Sequence, residues 1–189
     1  MRKPLSKDKR LQVYNKYGGH CAYCGKELTL KEMQVDHAIA FAQSIYGLKE
    51  SRDRVGKMIA DDSINSIDNL MPSCRQCNFY KGGWDIENLR RQLQETLSHT
   101  CRSSFQVRLA MQYGMLTYKE WDGKFYFEKI DEMKEELLQL GFVNKGDVLV
   151  RYSNPRIGWK TADGTLIIGY NEHPKKVFTI EEMKKIIDL

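Results

Sequence analysis

Two Cys-x-x-Cys pairs constrain the fold of this chain more than any other feature of its sequence. The first pair is Cys21 and Cys24, the second is Cys74 and Cys77, and the pairs begin 53 residues apart. Zn²⁺ takes four thiolates in a tetrahedral arrangement, and a two-residue spacer lets one tight turn supply two of them. The spacing therefore predicts a closed structural zinc site that joins two distant parts of the chain. The remaining cysteine, Cys101, is predicted to be a small buried apolar residue.

The cysteine usage and the composition also indicate the class of protein. Paired CxxC cysteines in a reducing compartment are more often metal ligands than disulfides. The chain has 189 residues and 41% hydrophobic content, enough for a buried core in one domain, with or without an appendage. No window approaches the roughly 20 apolar residues of a membrane helix, and the N-terminus has no apolar leader region. We therefore expect a cytoplasmic protein without membrane contact.

Positive charge is concentrated near the first cysteine pair. The net charge is +5, and residues 1–35 alone hold eight Lys or Arg against three Asp or Glu. Basic residues beside a metal site favour a phosphate-bearing partner, because lysine and arginine release counterions when they neutralise phosphates. A solvated basic helix is the alternative explanation for the same charges.

Periodicity and turn residues predict an α+β fold. A strand over residues 33–37 is expected to end in Asp36 and His37, and Asp122-Gly123 is expected to turn a hairpin between 115–118 and 124–128. The remaining predicted elements are helices, over 7–17 after a Ser6 cap, over most of 38–67, from Cys74 to about Lys81, after an Asp85 cap, over 103–113 and over 131–140.

The C-terminal part of the chain differs from the rest because it is predicted to consist mostly of short strands. It contains predicted strands at 148–152, 157–160, 165–168 and 176–179, followed by a helix from Ile180. We therefore predict three segments: a domain over residues 1–100 that begins with the basic helix, a helix-hairpin-helix extension over 101–141, and a small α+β appendage over 142–189.

Residues suited to metal-assisted hydrolysis lie between and just after the cysteine pairs. They are a carboxylate, an imidazole and two carboxamides, in Asp36-His37, Asn69-Leu70 and Asn78, with Lys81 three residues further on. The order CxxC, Asp-His, Asn-Leu, CxxC-Asn-x-x-Lys, within residues 11–81, resembles the HNH endonucleases. The match is to the variant in which asparagine replaces the second histidine, and the helix at 86–90 and the Phe-Tyr-Phe-Glu stretch look similar to phage-encoded members.

The resemblance implies a treble-clef, ββα-metal nuclease core and a role for each matching residue. His37 matches the general base that takes a proton from the attacking water, and Asp36 matches the first ligand of a catalytic divalent ion. Asn69 matches the middle asparagine, which positions the loop and orients the base. Asn78 matches the second metal ligand. The structural zinc site, separate from the catalytic ion, matches Cys21, Cys24, Cys74 and Cys77.

The resemblance also implies cofactors and partners. Zn²⁺ would be structural, and the oxygen atoms of Asp36 and Asn78 suit Mg²⁺ or Mn²⁺ as the catalytic ion. The substrate would be double-stranded DNA, with Arg75 and Lys81 near its phosphates, inside a bacterial or phage-infected host cell. A phage protein or another protein is a further expected partner.

The chemistry of phosphodiester hydrolysis explains why these residue types suffice. A phosphodiester resists attack because its charge repels nucleophiles and because its leaving alkoxide is poor, and a divalent cation offsets both effects. A neutral imidazole, with an ordinary pKa of about 6.5, can deprotonate water at physiological pH. Because an amide does not titrate in this range, activity is predicted to rise in a single step through about pH 6 to 7 and then level.

Each candidate also has an ordinary structural explanation. Asp36 and Asn69 suit turns, His37 suits a histidine packed under the cysteines, and Asn78 suits a surface amide. A second hypothesis is therefore a zinc-dependent nucleic-acid-binding module without catalysis. The segment 38–67 is longer than a compact ββα-metal loop needs, and we expect it to be a lid or a DNA-contacting insert.

Overall fold

The computed structural model describes residues 5–187 and has a mixed α+β architecture, which confirms the predicted class. The helices are α1 (Lys7–Asn15), α2 (Gln43–Tyr46), α3 (Lys49–Ala60), α4 (Arg75–Lys81), α5 (Ile86–Arg91), α6 (Ser98–Ser103), α7 (Phe105–Gln112), α8 (Tyr126–Gln139) and α9 (Ile180–Ile187). The strands are β1 (Gln34–His37), β2 (Leu70–Ser73), β3 (Val143–Asn144), β4 (Val148–Arg151), β5 (Ile157–Lys160), β6 (Thr165–Ile168) and β7 (Asn171–Lys176).

The strands form two sheets. β1 and β2 pair in a two-stranded sheet, and β3 to β7 follow one another in a five-stranded antiparallel meander. Short 3-10 turns cover Ser63–Asn65 and Ile67–Asn69, and the π-helical segment Gln92–Leu97 joins α5 to α6. Over the described part of the chain, no helix combines the length and the apolar character that a membrane crossing requires.

Backbone contacts divide the chain into two compact units, each built from separated segments. The first unit contains the described residues up to Asp36, then Ser66–Asn78, and the chain from Phe125 onward. The second unit contains His37–Asn65 and Phe79–Lys124. These units group residues by contact in space, so the predicted boundaries at residues 100 and 141 stay predictions.

Helix α1 begins in the first unit where the sequence predicts it. The Ser6 Oγ accepts a hydrogen bond of 3.2 Å from the Lys9 N–H, which satisfies one of the free amides of the first turn. The helix contacts β2 and the 3-10 turn that precedes it, with the fully buried Val13 on its inner face. The capped helix is thereby packed beside the segment that carries Asn69.

The C-terminal half of the first unit is held by one apolar core. Helix α8 contacts β4 and α9, and its buried residues Ile130, Met133 and Leu137 recur at helical spacing on one face. Trp159 of β5 is fully buried and donates its indole N–H to the Val177 carbonyl at 2.8 Å. The meander and both helices therefore share this core.

The second unit confirms the helical prediction for 38–67. Helices α2 and α3 contact each other, and α3 contacts the 3-10 turn Ser63–Asn65, with Val55 and Ile64 buried. Asp85 caps α5 as predicted, because its carboxylate accepts a hydrogen bond of 2.7 Å from the Asn88 N–H.

The hairpin predicted for 115–128 is wrong. Residues 115–124 form no strand, and α8 begins at Tyr126, five residues before the predicted start. The alternating Phe-Tyr-Phe-Glu pattern is instead a helix N-terminus, where the Glu128 carboxylate accepts from the Phe125 N–H at 2.9 Å. The first-turn amides of Tyr126 and Phe127 donate to the carbonyls of Tyr23 and Ala22, at 3.2 and 2.9 Å. Because these partners lie a hundred residues away, the local pattern misled the prediction.

Three other features of the chain differ from the sequence prediction. The last strand is β7, which begins earlier than predicted because the Gly169-Tyr170 turn, with Gly169 at φ 64°, returns the chain at once. The short β3 was not predicted. Cys101 is half-buried on α6 rather than buried.

Candidate functional site

The four paired cysteines converge in the first unit. Their sulfur atoms all lie within 4.8 Å of one another, and the Sγ atoms of Cys24 and Cys74 are 3.9 Å apart. A tetrahedron of sulfurs about 2.3 Å from a central zinc has edges of about 3.8 Å, so the cluster has the dimensions of a zinc site. Cys21 and Cys74 are buried and Cys24 is exposed. The cluster can hold a metal ion such as zinc.

Backbone hydrogen bonds hold the first cysteine turn in place without a contribution from a metal. The Gly25 N–H donates to the Cys21 carbonyl at 2.9 Å, and the Cys21 N–H donates to the Lys26 carbonyl at 2.8 Å. Gly25 has φ 73°, and a Cβ at this position would lie 2.8 Å from the Tyr126 ring, so only glycine fits. The Ala22 N–H donates to the Pro72 carbonyl at 2.8 Å, which ties the first turn to β2 just before the second cysteine pair.

The thiols of the cluster influence one another's ionisation. Hydrogen bonds with Cys24 and Cys77 lower the pKa of Cys21, whereas contact with Cys21 raises the pKa of Cys24 to about 11. Hydrogen bonding to Cys21 and Cys24 raises the pKa of Cys77 as well. Ionisation of Cys21 therefore opposes ionisation of its neighbours. A divalent cation would stabilise every coordinating thiolate, so metal binding is expected to release protons from the cluster.

Asp36 is tied directly to the first cysteine turn. Tyr23, which lies between Cys21 and Cys24, donates its hydroxyl hydrogen to the Asp36 carboxylate, with an O···O distance of 2.5 Å. Tyr23 and Asp36 are 5% and 6% exposed, so this charge-assisted bond is shielded from water. Burial and the Asp36 charge raise the pKa of Tyr23, which keeps the phenol protonated as a donor. The bond orients a carboxylate predicted to bind a divalent ion.

Asn78, the other predicted ligand of that ion, is oriented from β1. Its Nδ2 donates to Gln34 Oε1 at 2.7 Å. Gln34 precedes Asp36 by two residues on the same strand, so both side chains lie on one face of β1. This bond uses the amide nitrogen of Asn78 and directs its oxygen, the atom that binds hard cations, away from Gln34.

Asn69 lies at the end of a 3-10 turn that two side chains hold. The Ser66 hydroxyl accepts a hydrogen bond of 3.4 Å from the Asn69 N–H. The Lys16 ammonium donates to the carbonyls of Ile67, Asp68 and Leu70 at 3.0 to 3.2 Å, and burial lowers the pKa of this lysine. Lys16 belongs to the basic N-terminal segment, so at least one of those charges stabilises the chain rather than facing a phosphate.

His37 lies in the second unit, where Asn65, Phe41 and Lys81 are among the residues that contact it. Its Nε2 is 3.1 Å from Asn65 Oδ1, and its ring packs edge-on against Phe41 with centroids 5.1 Å apart. The Lys81 ammonium donates to the His37 carbonyl at 2.8 Å. The chain that immediately surrounds the predicted base is therefore anchored at both its ring and its backbone.

The two residues predicted to contact phosphates, Lys81 and Arg75, differ from each other in exposure. Lys81, predicted to lie near the phosphates, is only 1% exposed, and its ammonium donates to the His37 carbonyl within the second unit. Arg75 is exposed on α4, as a phosphate contact requires. The predicted ligands Asp36 and Asn78 and the turn residue Asn69 belong to the first unit, and His37 belongs to the second.

Several residues that support the site were not identified from the sequence. They are Lys16, Tyr23, Gln34 and Asn65. Each supports a predicted site residue through a hydrogen bond that joins positions 13 to 54 residues apart. Tyr23, within the first CxxC pair, was the only one with a local signal, because a tyrosine hydroxyl beside a buried metal site needs a partner.

Replacing Tyr23 with phenylalanine is expected to lower the free energy of unfolding by about 1–3 kcal/mol, because a buried carboxylate loses a donor. Since the pKa of Tyr23 is raised on folding, its contribution is present below the ordinary tyrosine pKa of about 10 and is lost as pH rises further. Chemical denaturation of the wild type and of Tyr23→Phe from pH 7 to 11 measures the difference between their free energies of unfolding. This difference should become smaller above about pH 10. Tyr152→Phe, at an exposed position of the same unit, is the control; equal effects of both substitutions would contradict the assignment.

Comparison of the chain with protein-family models, with curated proteins and with solved structures gives no match.

Proposed function

We propose that this chain is a metal-dependent endonuclease of the HNH type that hydrolyses phosphodiester bonds in double-stranded DNA. The observation that supports the proposal most is that a separate hydrogen bond orients each of the two predicted divalent-ion ligands. Tyr23 orients Asp36 and Gln34 orients Asn78, and Asp36 and Gln34 share one face of β1. Metal-ligating side chains regularly have hydrogen-bonded supports of this kind.

The scaffold that we propose is a treble clef built around the four cysteines. The cluster joins the turn before β1 to the start of α4, so it connects the segments that carry Asp36 and Asn78. In this proposal, zinc at the cysteines is structural, because four thiolates leave it no open coordination position for substrate.

The catalytic cation would be Mg²⁺ or Mn²⁺. Its donor set, a carboxylate oxygen from Asp36 and an amide oxygen from Asn78, has the hard oxygen ligands that both ions prefer. Such an ion, when bound, neutralises charge on the scissile phosphate and on the leaving alkoxide. Asp36 and Asn78 would hold this ion, and Arg75 contributes positive charge at the surface.

The water is activated by His37 in this proposal. A neutral imidazole takes a proton from water as the oxygen attacks phosphorus, so one O–H bond breaks and one N–H bond forms. Asn69 keeps the turn before β2 in place, with help from Ser66 and Lys16. No covalent enzyme intermediate is required.

Cleavage of supercoiled plasmid tests the proposal. We expect nicked or linear product with Mg²⁺ or Mn²⁺, and none when EDTA removes the free divalent ion at a concentration that leaves the cysteine-bound zinc in place. Zinc content measured on the same samples verifies this condition. Binding to duplex DNA without cleavage under any divalent ion would contradict the proposal and favour a zinc-dependent nucleic-acid-binding module.

A further inference from the structure

A chain of hydrogen bonds in the second unit leads from Asp62 through Asn65 to the His37 ring. Asn65 Nδ2 donates to Asp62 Oδ1 at 2.6 Å, and Asn65 Oδ1 lies 3.1 Å from His37 Nε2. We propose that Asn65, held by Asp62, is the positioning residue of His37 and fixes the tautomer in which Nδ1 is the basic nitrogen. This inference rests on the proposed function for its catalytic consequence, but the tautomer itself is independent of it.

The tautomer follows from which atoms can donate. An ionised carboxylate only accepts hydrogen bonds, so Asp62 selects the NH₂ group of Asn65. The amide oxygen of Asn65 is then the atom that faces the ring, and it too only accepts. Nε2 of His37 must therefore carry the hydrogen, and the lone pair of the neutral imidazole is on Nδ1.

The loop that carries Asn65 is built to hold this orientation. Asp62 has φ 59°, a left-handed conformation that aspartate and asparagine tolerate better than most residues. The Asn65 N–H donates to the Asp62 carbonyl at 3.0 Å, and the Asp61 carboxylate accepts from the Ser63 N–H at 2.9 Å. Between them Ile64 is 1% exposed and anchors the turn in the core of the unit. These contacts fix the backbone of the turn, and the Asp62 carboxylate orients the side-chain amide of Asn65.

The position of His37 is fixed on its other sides as well. Lys81 binds its carbonyl and Phe41 packs against its ring, so the imidazole is held in place for Asn65. The charged groups near the residue include Asp62 beyond Asn65, the Lys81 ammonium at the backbone, and Asp36 as the preceding residue of the chain.

The catalytic consequence is a defined direction of proton transfer. In the proposed reaction, the proton leaves water and forms a bond to Nδ1, while the Nε2–H remains bound to Asn65. In the imidazolium that results, both ring nitrogens carry a hydrogen, and the Nε2–H still donates to the Asn65 oxygen. The insert between His37 and Asn69 thus has a function in this proposal, because it contains Asn65, the residue that orients the general base His37.

Nitrogen NMR of the histidine rings tests the tautomer without substrate or catalytic ion. In ¹⁵N-labelled protein with zinc but no Mg²⁺, at about pH 8, where ordinary imidazoles are neutral, two-bond correlations identify the protonated ring nitrogen. His37→Ala identifies the His37 signals by their loss. We expect the Nε2–H form in the wild type and a mixture of tautomers in Asn65→Ala. An Nδ1–H form in the wild type would overturn the inference.

Plasmid cleavage by the same variants tests the catalytic consequence. Asn65→Ala is expected to lower kcat by about 10–100-fold with little change in KM, as loss of a residue that orients a functional group does. Asp62→Gly keeps the left-handed backbone and removes the acceptor, whereas Asp62→Asn keeps an acceptor oxygen, so kcat should fall less in Asp62→Asn. Asp53→Asn, an exposed aspartate on α3, is the charge-matched control and should change neither the tautomer nor kcat.

The outcomes separate this inference from the proposed function. A wild type that never cuts defeats the proposed function, while the NMR still decides the tautomer. A wild type that cuts, beside a folded Asn65→Ala with unchanged kcat, overturns the positioning role alone. If Asn65→Ala does not fold, the pair Asp62→Gly and Asp62→Asn gives the same comparison, and equal kcat values in that pair would count against the inference.

Discussion

His37→Ala is expected to lower the rate of plasmid cleavage by about 10²–10⁴-fold, the usual contribution of a positioned general base. The substitution removes only the ring, so the backbone carbonyl that accepts from Lys81 remains and the local fold should persist. Duplex binding and zinc content should equal those of the wild type, because neither the cysteines nor Arg75 is changed. Single-turnover cleavage at saturating protein, zinc analysis and fluorescence anisotropy with labelled duplex measure the three quantities.

His99→Ala is the matched control for this experiment. His99 is exposed on α6, outside all the contacts proposed for the site, so its loss should leave the cleavage rate unchanged. The rate of the wild type should rise in one step through about pH 6 to 7 and then level, as expected for one imidazole base. Cutting by folded His37→Ala at the wild-type rate would remove the general base from the proposed mechanism.

Loss of the cysteine-bound metal is expected to unfold much of the first unit. Cys74→Ser replaces a buried cysteine of the cluster, and the cluster joins two cysteine pairs that begin 53 residues apart in the chain. Zinc contributes about 10–16 kcal/mol to the folding of zinc-finger peptides, which matches or exceeds the roughly 5–15 kcal/mol total stability of most domains. Thermal unfolding followed by circular dichroism, with zinc content measured on the same protein, should show a large fall in Tm and loss of the metal.

Cys101→Ser distinguishes this effect from a general need for thiols. Cys101 is half-buried on α6 and outside the cluster, so its replacement should leave zinc content unchanged and Tm nearly so. A strong zinc chelator should reproduce the effect of Cys74→Ser in the wild type, and added zinc should reverse it. Retention of zinc by Cys74→Ser, with the Tm of Cys101→Ser, would mean that the cluster is not a metal site.

Local sequence signals predicted the elements that local interactions stabilise. Ser6 and Asp85 cap α1 and α5 because a side-chain oxygen satisfies an amide three residues away. The two CxxC pairs predicted the cysteine cluster because zinc geometry dictates both the spacing and the number of ligands. The hairpin at 115–128 failed for the opposite reason, since the amides that begin α8 are satisfied by carbonyls of the first cysteine turn.

The support of each candidate site residue depended on distant partners. Lys81 illustrates this point, because its position on α4 suggested an exposed cation, yet the fold buries it against the His37 carbonyl. Trp159 of the C-terminal sheet is likewise fully buried, and its indole N–H donates to the Val177 carbonyl. Charge and residue type indicate what a side chain can do, but burial decides which partner it meets.

The candidate chemical groups and the local helices and turns that carry them follow from the sequence alone. These groups are four thiols for a metal, a carboxylate, an imidazole and two carboxamides in a set order. The helices and turns follow from interactions within a few residues. The contacts that hold these groups depend on the whole fold, since Asn65 reaches His37 across 28 residues and Gln34 reaches Asn78 across 44. Bonds over such separations depend on where the whole backbone returns, and no local pattern of residues encodes that path.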